Sequence, residues 1–333
     1  MNCFLKQVRC WIFLLLCLSA LPSQFASAQS KTGNWPDRPI RMIVPFTAGG
    51  PIDIIARRVG QKLSEILKTP VIIDYKTGAN GLIGADYVAK SAPDGYTMLI
   101  MTGSFAANAA LYKKLPYDPI KDFAPISQIY QSYGMVLVVN SDFPANSLKE
   151  LIAYSQAHPN KLSYGSAGYG NASHLVGELL NAQTGISVLH VPYKGLGPAF
   201  NEVIAKQVDM TFVSTTLAAN GIKENIVKGL AISGGSRAPA IPNVPTFTEA
   251  GVKGIDQVYG WSGLFYPADT PKEITTKVQQ ALVKALNQPD IKKQFDDLGI
   301  IPLGTSSADF VKFVNTDIEL QTRLFKIANI AQQ

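Results

Sequence analysis

Pro45 to Arg57 reads PFTAGGPIDIIAR, the join between an apolar run, IRMIV (Ile40 to Val44), and a helix-like pattern. A strand that ends in glycines and restarts as a helix exposes backbone N–H groups toward anything anionic. The same unit recurs along the chain. Val71 to Asp74 leads through KTGANG to LIGADYVAK, and Thr97 to Met101 leads through TGS to FAANAAL. Leu162 to Gly165 leads through SAGYGN to ASHLVGELL, and Val188 to Val191 through PYKGLG to PAFNEVIAK. Further strands read near Val208 to Val213 and Gly229 to Ser233. Strands alternating with helices of this length define an α/β fold and predict parallel sheets with covered faces.

The last third of the chain reads as helical with one strand, Val258 to Tyr266. Thr270-Pro271-Lys272-Glu273 then has the form of a capping box with Pro at the first helical position. Behind it Ile274, Val278, Ala281, Leu282 and Ala285 share one face. A final helix from about Ser307 carries Phe310, Val314 and Ile318 on one side. Its polar face is not basic, so packing on the first domain is expected rather than docking on a membrane. No low-complexity linker separates the domains. The expected organisation is a first domain over 29–137 and 256–333, interrupted by a second over 138–255, with two crossings forming a hinge.

Residues 1–28 are a separate matter. Lys6 and Arg9 precede the apolar run Trp11 to Leu21, and Ala26-Ser27-Ala28 is an A-x-A cleavage signal before Gln29. That is a secretory signal peptide, shorter than the ~20 apolar residues of a spanning helix. All three cysteines (Cys3, Cys10, Cys17) lie within it. Leu16 stands before Cys17 where a lipoprotein needs a small residue, which disfavours lipid anchoring. With 47% hydrophobic and 16% charged residues in a 333-residue chain, the core is large enough to dispense with disulfides in an exported protein. The net charge of +6, less the two charges of Lys6 and Arg9, leaves +4 on the mature part. Its Lys and Arg residues are scattered rather than gathered on one face, so nucleic acid is not an expected partner. Mild basicity suits a small anionic ligand.

Catalytic patterns are missing. The mature chain has no Cys, and His158, His174 and His190 are widely spaced with no metal-ligand cluster. GWSGL (Gly260 to Leu264) lacks the last glycine of a nucleophile elbow. TAGGP matches neither the dinucleotide fingerprint nor the P-loop. Loops at 46–53, 76–81, 102–104, 166–171 and 192–196 remain. In open parallel sheets such loops lie beyond the carboxyl ends of the strands, where ligands bind. Hydrogen bonds to a charged group contribute roughly 1.5–3 kcal/mol each. Four or five of them, less ordering costs, reach the roughly 8 kcal/mol of a micromolar ligand.

Taken together, WPDRPIRMIVPFTAGGPIDIIAR, TGANGLIGADYVAKSAPDGYTMLI, LPYDPIKDFAPIS, LSYGSAGYGNASHLVGELL, VPYKGLGPAF and IPNVPTFTEAG resemble one family across the whole mature chain. It is the extracytoplasmic solute receptors of tripartite tricarboxylate transporters, often called the Bug family. The resemblance implies a type II periplasmic-binding-protein fold, with two lobes, a hinge and a ligand cleft. It implies a periplasmic, monomeric receptor without cofactor or metal. Such a receptor captures a small organic carboxylate and delivers it to integral-membrane transporter subunits. An exported α/β enzyme is disfavoured by the missing catalytic residues, and a ligand-presenting partner of a membrane sensor kinase needs no different sequence feature.

The same resemblance assigns the ligand grip to the loops matching PFTAGG and TGANG, with the rest from TGS, GSAGYGNASH and VPYKG. In the first loop the candidates are Phe46, Ala48, Gly49, Gly50 and Asp53. The two glycines otherwise make only a tight turn, Asp53 otherwise serves the helix dipole, and Phe46 otherwise fills the core. Gly78, Ala79 and Asn80 follow in the second loop, then Thr102 and Ser104. In the second lobe the candidates are Ser166, Asn171 (or a helix N-cap), His174 (or a structural histidine), Tyr193 and Lys194 (or a solvated lysine). Two departures stand out. Many relatives carry Gly where this chain has Asn80. Where relatives often read Phe-Asp-Asn, this chain reads Phe212-Val213-Ser214, and losing that acid argues against a ligand with an amino group.

Overall fold

The computed structural model describes residues 34–333. The leader, its three cysteines and the cleavage position at Ala28 lie outside the described residues. In chain order the first part runs β1 (Ile40–Val44), α1 (Pro51–Leu67), β2 (Val71–Tyr75), one 3-10 turn (Ala79–Gly81), α2 (Leu82–Ala89), β3 (Thr97–Thr102), α3 (Ser104–Leu111) and β4 (Phe123–Ser132). The middle runs β5 (Met135–Asn140), α4 (Leu148–Ala157), β6 (Ser163–Ser166), α5 (Ala172–Thr184), β7 (Leu189–Pro192), α6 (Leu196–Ile204), β8 (Met210–Ser214), α7 (Thr215–Lys223) and β9 (Val227–Ile232). The last part is β10 (Trp261–Pro267), α8 (Lys272–Leu286), α9 (Pro289–Asp297), β11 (Ile300–Pro302) and α10 (Ser307–Ile327).

Two sheets result, ordered β11-β4-β10-β3-β1-β2 and β7-β6-β8-β5-β9. Within them β1 pairs parallel with β2 and β3, and β6 parallel with β7 and β8. The expectation of parallel sheets fails at β5 and β10, and at β11, which is antiparallel to β4. Strand β10 is antiparallel to β3 and β4, and β5 is antiparallel to β8 and β9. These are the strands the chain enters on changing sheet, so no strand–helix–strand crossover dictates their direction. The last third also holds a second strand, β11, paired to β4.

Both faces of each sheet are covered. Along β1, Ile40, Met42 and Val44 pack with α1 and α8, whereas Ile43 packs with α2 and α3 on the other side. Along β5, Val136 and Val138 face α6 and α7, and Leu137 and Val139 face α4 and α5. This period-2 split of apolar residues to both faces is what a doubly covered strand requires. Helix α10 buries Phe310 and Val314 beside Phe105 and Phe265, and its end places Leu324 and Phe325 with Leu175 and Leu179 of α5. The N-cap of α8 lies one residue later than the expected Thr270. Pro271 is the N-cap without a side-chain bond, and the Thr270 hydroxyl donates instead to Pro267 O at 2.8 Å.

The chain changes sheet between β4 and β5, and again between β9 and β10. The two crossings touch. A Cβ on Gly234 would lie 1.6 Å from Tyr133 O, and Gly134 has φ +141°, so neither position accepts a side chain without moving the other strand. Ser132 fastens the same region by donating its N–H to Gly260 O at 2.7 Å, and its hydroxyl accepts from Gly260 N–H at 2.8 Å.

Candidate ligand-binding site

A cleft of about 670 Å³ opens between residues of the two sheets, within the range of small-molecule sites. Its lining begins with Phe46, Gly50, Pro51 and Ile52 at the start of α1, and with Gly78, Asn80 and Gly81 before α2. Thr102, Gly103 and Ser104 follow at the start of α3. From the second sheet come Asn171 and Ala172 at the start of α5, and Lys194, Gly195 and Leu196 at the start of α6. Thus five helices present their N-terminal ends to one space. Helix N-termini carry N–H groups without intrahelical partners and roughly half a positive charge; at α3 the Thr102 hydroxyl takes one of them, accepting from Ser104 N–H at 3.3 Å. Four of the five begin at glycines that provide no side-chain cap: Gly50, Gly81, Gly103 and Gly195. The fifth is capped by Asn171, whose side-chain oxygen accepts from Ser173 N–H at 3.1 Å. Among the lining residues Lys194 is the one charged side chain, and it is exposed.

The sequence candidates divide into residues that line this cleft and residues that stand outside its lining. Phe46, Gly50, Gly78, Asn80, Thr102, Ser104, Asn171 and Lys194 line it. Asn171 does so while also capping α5, so its two readings coincide. Ala48, Gly49, Asp53, Ala79, Ser166, His174, Tyr193 and Ser214 stand outside the lining.

Three of the second group, Asp53, Ser166 and His174, bond backbone of the loops that carry the first. Asp53 is 3% exposed. Its carboxylate accepts from Gly49 N–H at 2.8 Å, from the Tyr75 hydroxyl at 2.6 Å and from Arg57 Nε at 3.1 Å. Burial pushes this carboxyl up, and the bonds from Gly49, Tyr75 and Arg57 outweigh it and hold the group below the usual range. Gly49, at φ +81°, needs its lack of a Cβ to make that turn. In the second lobe's loop, the buried Ser166 hydroxyl sits 2.6 Å from His190 Nε2 and accepts from Gly168 N–H at 3.1 Å. His174 Nδ1 accepts from Gly170 N–H at 3.1 Å, which fixes that nitrogen as unprotonated. Its ring lies 4.1 Å from that of His190 and 4.7 Å from that of Tyr169. Burial, then the neighbouring His190, lower the His174 pKa to about 4. Tyr193 packs its ring against Gly165, while Ala48 and Ala79 are exposed. Ser214 caps α7 by accepting from Leu217 N–H at 3.4 Å, and Val213 before it, where an acid was expected from the resemblance, is fully buried.

Other lining residues carry no signal in the glycine loops. Tyr130 comes from β4, Tyr259, Gly260 and Trp261 from the entry to β10, and Gln321 from α10. Fully buried Asn108 of α3 donates to Asn80 O at 3.0 Å, and its side-chain oxygen accepts from Asn80 Nδ2 at 3.0 Å. This clamp holds Asn80 at φ +52°. A lone amide inside the apolar helix FAANAAL was the available signal for it. Among the described residues, no group of His, Cys, Asp and Glu is placed to hold a metal, and no helix is long and apolar enough to cross a membrane.

Comparison with known proteins agrees with this geometry. Residues 55–330 match a family model described as the tripartite tricarboxylate transporter family receptor. A UPF0065 protein of Agrobacterium vitis, from the TAR-I ttuE-ttuC' intergenic region, is 36% identical over 298 residues, covering 90% of this chain and 84% of that one. The structure of the periplasmic binding protein BugD is 36% identical with a TM-score of 0.80, covering 90% of this chain and 100% of BugD. Rpa4515 of R. palustris, solved with adipate, is 32% identical with a TM-score of 0.82, covering 90% of this chain and 100% of its own.

Proposed function

The chain belongs to the tripartite tricarboxylate transporter receptor family, and from that premise we propose that its cleft captures a small organic carboxylate for delivery to membrane transporter subunits. The observation that carries the reading is the convergence of five helix N-termini, four of them glycine-capped, with Lys194 as the one charged side chain of the lining. Such a site binds an anion through backbone donors already in place, so little is spent on ordering. The family's solved members are receptors, and the Rpa4515 structure holds adipate.

The lobes are read as 29–137 with 256–333, and 138–255. The two crossings, where Gly134 and Gly234 meet, serve as the hinge. The protein acts in the periplasm as a monomer after removal of residues 1–28.

Thermal unfolding of residues 29–333 against a panel of carboxylates tests the function. The protein is first unfolded and refolded to strip carried-over ligand. A ligand at 100 times its dissociation constant adds about 2.7 kcal/mol, and each kcal/mol moves the midpoint by roughly 2–4 °C at this size. The reading requires such a shift from an acid and none from its neutral amide. Equal shifts from acid and amide, or no shift from any acid, would overturn it.

A further inference from the structure

The lining changes character along the edge of the six-stranded sheet. Glycine loops follow β1, β2 and β3, the last meeting Trp261 at Gly103, while Tyr259 and Trp261 lead into β10 and Tyr130 lies on β4. In the order β4-β10-β3-β1-β2, β10 lies two strands from β1, about 10 Å at the usual spacing of about 4.8 Å between strands. Phe46 and Tyr169 join these three aromatic side chains in the lining.

Behind the β10 end sits an acid. Asp317 of α10 is 7% exposed. Its carboxylate accepts from the Trp261 indole N–H at 2.7 Å and from Gln321 Nε2 at 3.2 Å. Phe310 and Phe313 meet the Trp261 ring edge-to-face at 5.8 and 5.3 Å, so the indole is locked. The Gln321 amide is oriented as well. With its nitrogen turned to Asp317, its carbonyl oxygen is the polar atom left for the cleft. Burial pushes the Asp317 carboxyl up, against the two N–H donors that favour its ionised form. The cleft therefore has donors at the glycine loops, aromatic walls between, and an acceptor backed by a carboxyl at the β10 end.

We propose that this cleft selects an aromatic monocarboxylate carrying a hydrogen-bond donor, such as a hydroxyl, at the end away from its carboxylate, and discriminates against dicarboxylates. The proposal rests on the receptor reading above. The carboxylate lies on the glycine loops after β1 and β2, the ring lies against Phe46 and Tyr259, with Trp261 buried behind, and the donor meets Gln321 Oε1. A second carboxylate at that end meets the Gln321 acceptor and the buried Asp317 behind it. Asp317 acts as a positioning residue through Trp261 and Gln321.

Calorimetric titration of the refolded wild-type protein with 4-hydroxybenzoate, benzene-1,4-dicarboxylate and adipate is the test. Wild type is expected to bind 4-hydroxybenzoate at least tenfold more tightly than either dicarboxylate. Gln321→Arg supplies a cation at the far end and is expected to move the ratio toward benzene-1,4-dicarboxylate by at least tenfold. Asp317→Asn is expected to narrow the same ratio, a change that mere loss of stability does not produce because it weakens both ligands alike. The inference falls if wild type binds adipate or benzene-1,4-dicarboxylate as tightly as 4-hydroxybenzoate or more so, with the receptor reading intact. It falls too if Gln321→Arg leaves the ratio unmoved. If none of the three acids binds, the inference falls alone provided that another acid of the panel binds, and together with the receptor reading if none does.

Discussion

Helix α1 begins at Gly50, which has no side chain to cap it, whereas α4 begins at Ser147, whose hydroxyl accepts from Glu150 N–H at 3.2 Å. The same contrast holds more widely. Helices α7 and α10 also start at serines that cap them, Ser214 and Ser306, and neither residue lines the cleft. Helices α2, α3 and α6 start at glycines that do line it. A side-chain cap satisfies one of a helix's own orphan donors and stabilises the fold. A glycine leaves those donors for something else. Serine-capped ends thus lie away from the cleft and glycine starts face it, while α5, capped by Asn171, faces it too, and α8 and α9 start without a side-chain cap outside it.

Closing an open end gives the largest expected effect. Gly50 has φ −78° and ψ 169°, a conformation any residue adopts, and a Cβ there meets nothing nearer than Thr47 O at 3.4 Å. Gly50→Asp therefore fits the backbone and caps α1. Exchanging glycine for a better cap changes stability by only a few tenths of a kcal/mol. It also removes donors and adds a like charge in the cleft. Carboxylate affinity is expected to drop about 100-fold, or roughly 2.7 kcal/mol, while the unfolding midpoint stays within about 2 °C. Titration and thermal unfolding on one sample check both. Unchanged affinity would break the contrast, because it would mean that the open end of α1 binds nothing.

The next effect concerns how the open ends are held. Asp53 braces Gly49 from inside the first lobe with an ionised acid, and His174 braces Gly170 in the second with a neutral base. Asp53→Ala removes three hydrogen bonds to a buried charge, each worth roughly 1.5–3 kcal/mol where fully formed. Arg57 is more than half exposed and contributes little. A net loss of about 3 kcal/mol is expected, seen as a midpoint roughly 6–12 °C lower. Because its folded pKa is lowered, the Asp53 contribution is present above the ordinary carboxyl value of 3.8 and is lost as pH falls through the lower folded value.

The two braces then separate by pH. A histidine whose folded pKa is lowered binds its proton more readily when unfolded, so stability falls as pH drops from about 6.5 toward about 4. The slope is at most about 1.4 kcal/mol per pH unit, giving about 2 kcal/mol between pH 7 and pH 5. His174→Gln keeps an acceptor for Gly170 and removes the titration. Thermal midpoints at both pH values are expected to differ less in the variant than in the wild type. An equal difference in both proteins would assign the pH response to other groups and leave the His174 brace without a titrating role.

The glycine loops were legible in the sequence because a strand, a glycine turn and a helix follow one another within about ten residues. The loops that hold Phe46, Gly50, Asn80, Thr102 and Lys194 could be placed from that local order, and the family resemblance singled out the residues within them. Asp53 could not be settled, because an acid in a first helical turn looks the same whether it meets ligand, dipole or its own loop. Hydrophobic period hides the direction of a strand, so β5 and β10 gave no sign of running antiparallel. That direction brings Trp261 to the same edge as Thr102, over 150 residues away in sequence. Tyr259, Trp261 and Gln321 were illegible for this reason: they join the cleft through topology, with no glycine beside a helix start to mark Gln321 or Tyr130.

The smallest effect tests the closed ends. Ser147 caps α4, and Glu150 completes the arrangement by accepting from Asn146 N–H at 2.7 Å. Ser147→Ala deletes the cap and leaves the cleft's lining untouched, since neither residue borders it. Removing a serine cap costs about 1 kcal/mol, which at this size lowers the midpoint by roughly 2–4 °C. Carboxylate affinity is expected to stay within a factor of two. The pair Gly50→Asp and Ser147→Ala then forms a double dissociation, one variant losing binding without stability and the other stability without binding. If Ser147→Ala weakened binding as well, the closed ends would be coupled to the cleft through the second lobe, and the division of helix termini by function would not stand.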